Sequence, residues 1–219
     1  MIRRRVKVKI CGITNWLDAR RAVQAGADFL GFNFYPPSPR YIDPAKARRI
    51  VRRLPDKISS VGIFVNEPEE KIGQIAREVG LEYIQLHGDE TPAFVSRLRH
   101  ALPKLKILKA IRVRKSFQAG QLRPFRGVEA ILLDGFDAHR PGGTGRGFNW
   151  ALARRAAAQR IFLAGGLTPE NVAEAIRRAH PYAVDVCSGV ESSPGKKDGG
   201  KMLGFMRAIH GIPSAGKGK

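Results

Sequence analysis

The chain has 219 residues, 43% of them hydrophobic and 26% charged, a globular balance with enough length for one sizeable core. No apolar run approaches the ~18 residues needed to cross a bilayer. The basic residues 1–5 lead into alternation, not a signal-type apolar stretch, and two cysteines are too few for a disulfide scaffold. A cytoplasmic protein with no membrane contact is expected.

The formal charge of +20 raises nucleic acid, a membrane surface or an anionic substrate as partners. Its placement argues for solvated faces. Arg20, Arg21, Arg48, Arg49, Arg154 and Arg155 fall within helical segments. Arg52, Arg53, Arg177 and Arg178 fall near helix ends, where cations complement the macrodipole. No RNA-binding aromatic motif, zinc-finger spacing or basic heptad region is present, so no dedicated nucleic-acid partner is expected. The charge would still draw in anionic substrates.

In chain order, the first strand-like run is 6–11, followed by an amphipathic helix over 16–25 that stops at Gly26. Asn15 is placed to cap that helix, with Asp18 as its partner. A second run, 28–34, leads through a Pro-rich loop to a helix opening at Pro44, where proline lacks only an N–H that would be unpaired anyway. Runs at 60–65 and 82–86 precede helices at 68–79 and 92–101. A run at 106–111 precedes a weaker helical stretch at 116–122. The run 128–133 leads to a Gly-rich loop and a helix over 148–158. Runs at 161–164 and 183–187 precede helices at 169–179 and 200–209. Eight strands alternating with eight helices predict a single-domain (β/α)8 barrel over 1–210, with a frayed basic tail at 211–219.

In such barrels the strand C-termini and the loops after them form the active face. Polar residues stand at nearly every one: Cys11, Asn33, Asn66, Gln85 and His87, Asp134, and Asp185 with Cys187. Gln85 and Asp185 are candidate substrate-binding residues. Two glycine turns follow strands seven and eight. Gly165 and Gly166 precede a helix, and Ser188 and Gly189 follow the last strand. Glycine lets backbone N–H groups approach an anion, and a helix start adds positive potential, so phosphate is expected at these four residues. His87 is the only histidine at a strand end, so no metal site is expected.

The segments Val8-Lys-Ile-Cys-Gly-Ile-Thr, Phe34-Tyr-Pro-Pro-Ser-Pro-Arg-Tyr, Ile84-Gln-Leu-His-Gly-Asp-Glu, Leu132-Leu-Asp-Gly-Phe, Gly142-Gly-Thr-Gly, Leu163-Ala-Gly-Gly-Leu-Thr-Pro-Glu-Asn-Val and Asp185-Val-Cys-Ser-Gly-Val-Glu-Ser occur in one order along the chain. Together they closely resemble the phosphoribosylanthranilate isomerases of tryptophan biosynthesis. The resemblance implies Cys11 as general base, Asp134 as general acid and Arg40 as the group that grips the anthranilate carboxylate, with no cofactor. Three residues depart from the family pattern: Asn33 before Phe-Tyr-Pro, Asn149 where aspartate is common, and Cys187 where serine is expected.

The implied reaction is an Amadori rearrangement: Asp134 opens the ribose ring to a Schiff base, and the Cys11 thiolate removes the C2 proton. A thiol needs a positive neighbour to ionise, and strand alternation puts Lys9 on the same face as Cys11. His87 is left outside the catalytic pair. In a closed barrel strands one and eight are neighbours, so Cys11 and Cys187 both lie near their upper ends, although the demanding geometry of a disulfide argues against their joining under oxidation. The implied partner is a small phosphosugar, with the chain a monomer or homodimer. The competing readings are a bifunctional aminoaldose–ketose isomerase that also takes the histidine-pathway substrate, or a basic nucleic-acid-binding barrel.

Overall fold

A computed structural model describes residues 5–113, 117–135, 150, 153 and 159–212. Eight parallel strands close into a barrel in chain order: β1 (Lys7–Ile10), β2 (Phe29–Asn33), β3 (Ser59–Phe64), β4 (Tyr83–Leu86), β5 (Lys106–Arg112), β6 (Ala130–Asp134), β7 (Ile161–Ala164) and β8 (Ala183–Val186). β8 returns to β1 in the register Lys9↔Asp185 and Ile10↔Val186. The helices are α1 (Trp16–Ala25), α2 (Pro44–Val51), α3 (Glu69–Val79), α4 (Pro92–Ala101), α5 (Val172–Ala179) and α6 (Gly199–His210). The helix expected at 148–158, the Gly142 motif, Asn149 and the tail beyond Ile212 lie outside the described residues, although Trp150 and Ala153 are buried.

Local chemistry sets the helix ends. The Asn15 side chain accepts from the Asp18 N–H and donates to the Asp18 carboxylate at 2.8 Å, while Gly26 closes α1 at φ 104°. Asp43 caps α2 ahead of Pro44. The weak helix expected at 116–122 is instead a 3-10 turn over Ala119–Phe125, where Gly120 and Pro124 disfavour a regular α-helix. α5 starts at Val172, later than expected, because Asn171 turns back to bond Thr168 N and Gly166 O. The sequence reading missed a short antiparallel hairpin after β8, β9 (Glu191–Ser193) with β10 (Lys196–Lys197).

Strand alternation divides the core in two. Inside the barrel sit Phe29, Val61, Tyr83, Leu108, Ala110, Ala130, Leu132, Phe162, Ala164 and Ala183; the remaining buried side chains pack between strands and helices. The same parity carries Lys9, Cys11, Gln85, His87, Arg112, Asp134, Asp185 and Cys187 inward toward the C-terminal mouth. Among the described arginines, the pairs at 20–21, 48–49, 52–53 and 177–178 are exposed. No helix among the described residues is long and apolar enough to cross a membrane.

One ion pair braces the rim outside β4 and β5. Lys109 Nζ, 2% exposed as a residue, donates to Glu90 Oε2 at 2.6 Å and to Gly88 O at 2.8 Å. The Glu90 carboxylate also accepts from Asn66 N and Gly88 N. Burial works against its charge, but Lys109 and the Asn66 N–H hold the Glu90 pKa below the ordinary carboxylate value. A carboxylate depressed in this way contributes stability above its unfolded pKa and loses it as pH falls. Glu90→Gln is expected to cost about 3 kcal/mol at neutral pH by stranding Lys109. In denaturant titrations the gap from wild type should shrink as pH drops below the carboxylate range; a gap independent of pH would refute this account.

Candidate active site

The mouth is built around a buried cation. Lys9 is fully buried and donates to Asp185 Oδ1 at 3.0 Å, one layer beneath Cys11 and Cys187. Burial works against the Lys9 charge, but Asp185 and Cys11 hold its ammonium above the ordinary lysine range. Burial also pushes the Asp185 carboxyl up to about 7, against the pull of Lys9.

Cys11 and Cys187 are both free and half-buried. They follow directly on the paired strands β1 and β8, and Cys11 N donates to Val186 O at 2.9 Å. The neighbouring Cys187 does most to hold the Cys11 thiol well below its ordinary pKa; burial opposes this, and Lys9 and Lys197 add to it. Gly31 makes room for that sulfur: a Cβ there would sit 2.9 Å from Cys11 Sγ.

Across the barrel, Asp134 Oδ2 lies 3.3 Å from His87 Nε2, and His87 Nδ1 lies 2.8 Å from Gln85 Nε2. With the Gln85 amide nitrogen facing His87, that nitrogen can only donate, so Nδ1 is the acceptor and Nε2 carries the proton toward Asp134. The sequence reading left His87 out; its spacing of two residues from Gln85 on an inward-facing strand was the available signal. Gln85 itself lies beneath the mouth, 1% exposed, and its Oε1 has no hydrogen-bond partner among the described residues. Strand parity turns both halves toward the C-terminal mouth of the barrel.

Arg40 reaches the mouth from the loop after β2. It was expected to present its guanidinium fork to a substrate, but that fork (Nε and Nη2) is taken by Glu191 at 2.8–3.2 Å. Nη1 makes no hydrogen bond among the described residues. Glu191 and Lys197 were missed; in the sequence they read as ordinary surface charges, although Ser193-Pro194-Gly195-Lys196 marked a turn.

Gly165 and Gly166 have φ of 91° and 65°, conformations that favour glycine. A Cβ at Gly189 would collide with the Leu167 carbonyl, so this glycine lets the turns after β7 and β8 close on each other. The N–H groups of Gly166, Ser188 and Gly189 meet no protein acceptor among the described residues. All four expected phosphate residues therefore lie in two adjoining turns beside Cys187.

The family profile for N-(5'-phosphoribosyl)anthranilate (PRA) isomerase matches residues 8–208. The chain belongs to the phosphoribosylanthranilate isomerase family. It is 50% identical over 204 residues to the isomerase of Trichlorobacter lovleyi, covering 92% of this chain and 97% of that one. It is 51% identical over 203 residues to that of Pelobacter propionicus, covering 92% and 94%. The crystal structure of phosphoribosylanthranilate isomerase from Thermotoga maritima superposes with a TM-score of 0.87 at 42% identity, covering 94% of this chain and 99% of that one. Another solved structure of the isomerase holds reduced 1-(o-carboxyphenylamino)-1-deoxyribulose 5-phosphate, with a TM-score of 0.83 at 42% identity and coverage of 94% and 99%.

For this isomerase the expected dependence of Cys11 on Lys9 has a direct test. Lys9→Met should move the pH midpoint of Cys11 alkylation upward by about one unit. A midpoint that stays in place would remove Lys9 from the account.

Proposed function

We propose that Cys11 and Asp134 are the base and acid of the Amadori rearrangement that this phosphoribosylanthranilate isomerase carries out in tryptophan biosynthesis. What supports this reading is a low-pKa thiol and a carboxyl, on strands that are not neighbours, both directed into one mouth whose rim carries two glycine turns. The phosphate would rest on the N–H groups of Gly166, Ser188 and Gly189, with Gly165 shaping the turn. That leaves the ribose over the mouth and the anthranilate carboxylate within reach of the free edge of Arg40.

Asp134 gives its proton to the ring oxygen, the C1–O bond breaks, and the nitrogen lone pair forms the iminium. His87 Nε2–H then donates to the carboxylate that is left. The Cys11 thiolate removes the C2 proton, and those electrons form the C1–C2 double bond as the iminium becomes an enolamine. A proton onto C1 and one off the C2 hydroxyl give the ketose and restore the thiolate and the carboxyl, so no atom is gained or lost. Gln85 and Asp185 lie beneath this surface and act on the substrate through His87 and Lys9. Every group named belongs to one chain, so monomer and homodimer serve equally.

Following the loss of phosphoribosylanthranilate fluorescence, Cys11→Ala and Asp134→Asn should each lower kcat by about 100-fold or more. Near wild-type turnover in either variant would defeat the assignment.

A further inference from the structure

The hairpin after β8 lies outside the barrel sheet, yet it buries two charged side chains, Glu191 and Lys197, and the first of them holds Arg40. Glu191 Oε2 accepts from Arg40 Nη2 at 2.8 Å, and Oε1 accepts from Arg40 Nε at 3.0 Å. Lys197 Nζ donates to the same Oε1 at 2.8 Å and to Cys187 O at 3.2 Å. Gly195 N at 3.2 Å and Cys187 Sγ at 3.8 Å complete the donors around Oε1. Burial works against the Glu191 charge, but Arg40 and Lys197 hold its carboxyl below the ordinary value. The backbone of the hairpin is fixed as well. Lys197 N donates to the Asp18 carboxylate at 2.9 Å, and Thr14 Oγ1 donates to Gly195 O at 2.6 Å. The turn also packs on the loop after β2, since a Cβ at Gly195 would lie 3.0 Å from Pro39 O.

A carboxylate facing an arginine ordinarily cancels its charge and blunts its pull on a second anion. Here two cations share one carboxylate, so the group as a whole keeps a positive charge. Glu191 and Lys197 are the members shut away from water, with side chains 4% and 0% exposed, whereas that of Arg40 is 25% exposed. Glu191 takes the Nε and Nη2 edge of the guanidinium, and Nη1 has no acceptor among the described residues. The stem of Arg40 is confined too. A Cβ at Gly12, the residue after Cys11, would lie 2.9 Å from Arg40 Cδ. At the backbone, Arg40 N donates to Ser38 Oγ at 3.1 Å, and that hydroxyl accepts in turn from Asn33 Nδ2.

We infer that Glu191 is a positioning residue for substrate binding: backed by Lys197, it fixes the Arg40 guanidinium with its Nη1 side left to the anthranilate carboxylate. This rests on the reading of Arg40 as the group that grips that carboxylate. The physical gain is preorganisation. A loose arginine loses rotamer freedom when it binds, whereas one already clamped by a bidentate carboxylate has little left to lose. Because Lys197 offsets the charge of Glu191, the clamp orients Arg40 without discharging it. Glu191 acts on the substrate through Arg40.

The test measures, by calorimetry on the full chain, the dissociation constants of two ligands: the reduced aminoketose product, and its counterpart made from aniline, which lacks the carboxylate. Wild type should prefer the carboxylated ligand. Glu191→Gln should cut that preference by about tenfold, with affinity for the aniline ligand staying within roughly twofold of wild type. KM for phosphoribosylanthranilate should rise by more than kcat falls. Where the stranded Lys197 unfolds this variant, Glu191→Met combined with Lys197→Met removes the buried pair as a unit and should lose the preference equally. A preference kept or strengthened in folded Glu191 variants, but lost in Arg40→Ala, would overturn the inference and spare the reading of Arg40. A preference kept in Arg40→Ala would remove Arg40 from carboxylate binding, and the inference with it. An equal loss of affinity for both ligands in the Glu191 variants would mark a merely structural role and overturn the inference as well.

Discussion

An ammonium enclosed in an apolar barrel cannot stay charged without a counter-charge, and for Lys9 that partner is Asp185 at 3.0 Å. The pair spans the seam where β8 meets β1, so closing the barrel and placing the charge are one event. The rest of the mouth follows from it. One residue further along each strand, Cys11 and Cys187 stand above a fixed positive charge, which favours a thiolate where burial alone would favour a thiol. Buried ion pairs contribute little net stability against their desolvation, so this one is better understood through the sulfur it conditions.

The opposite side of the mouth follows the same logic with weaker charges. Gln85 fixes the tautomer of His87, and His87 faces Asp134. Below the rim, Glu90 and Lys109 tie the loops after β3 and β4 to β5, which keeps the His87 backbone in place. Cys11 and Asp134 thus stand on separate braces. Each brace is a buried cation neutralised by one carboxylate, set into a shell of branched and aromatic side chains.

Much of this was legible in the sequence because local rules and the overall fold agree. Asn15, Gly26 and Pro44 announce helix ends that hold in three dimensions. Strand parity alone sends Lys9, Cys11, Asp134 and Asp185 to one face once a barrel is assumed. The illegible part lies where a side chain's fate depends on distant chain segments. Lys197 is one of many lysines and arginines in a chain of net charge +20, and nothing in its neighbours distinguishes a buried ammonium from a solvated one. Glu191 lies 151 positions from Arg40, so the sequence could show the stiff loop but not that the guanidinium fork was already taken. His87 was undervalued for a similar reason: its partner Asp134 is 47 residues away.

The most direct examination of the whole arrangement is a crystal structure of this chain with the reduced aminoketose product bound. The phosphate should lie on the turns at Gly166 and Ser188–Gly189. C2 should approach Cys11 Sγ, and the former ring oxygen should approach the Asp134 carboxylate, each within about 3–3.5 Å. A ligand seated outside the mouth, or one that touches only one of the two groups, would contradict the account.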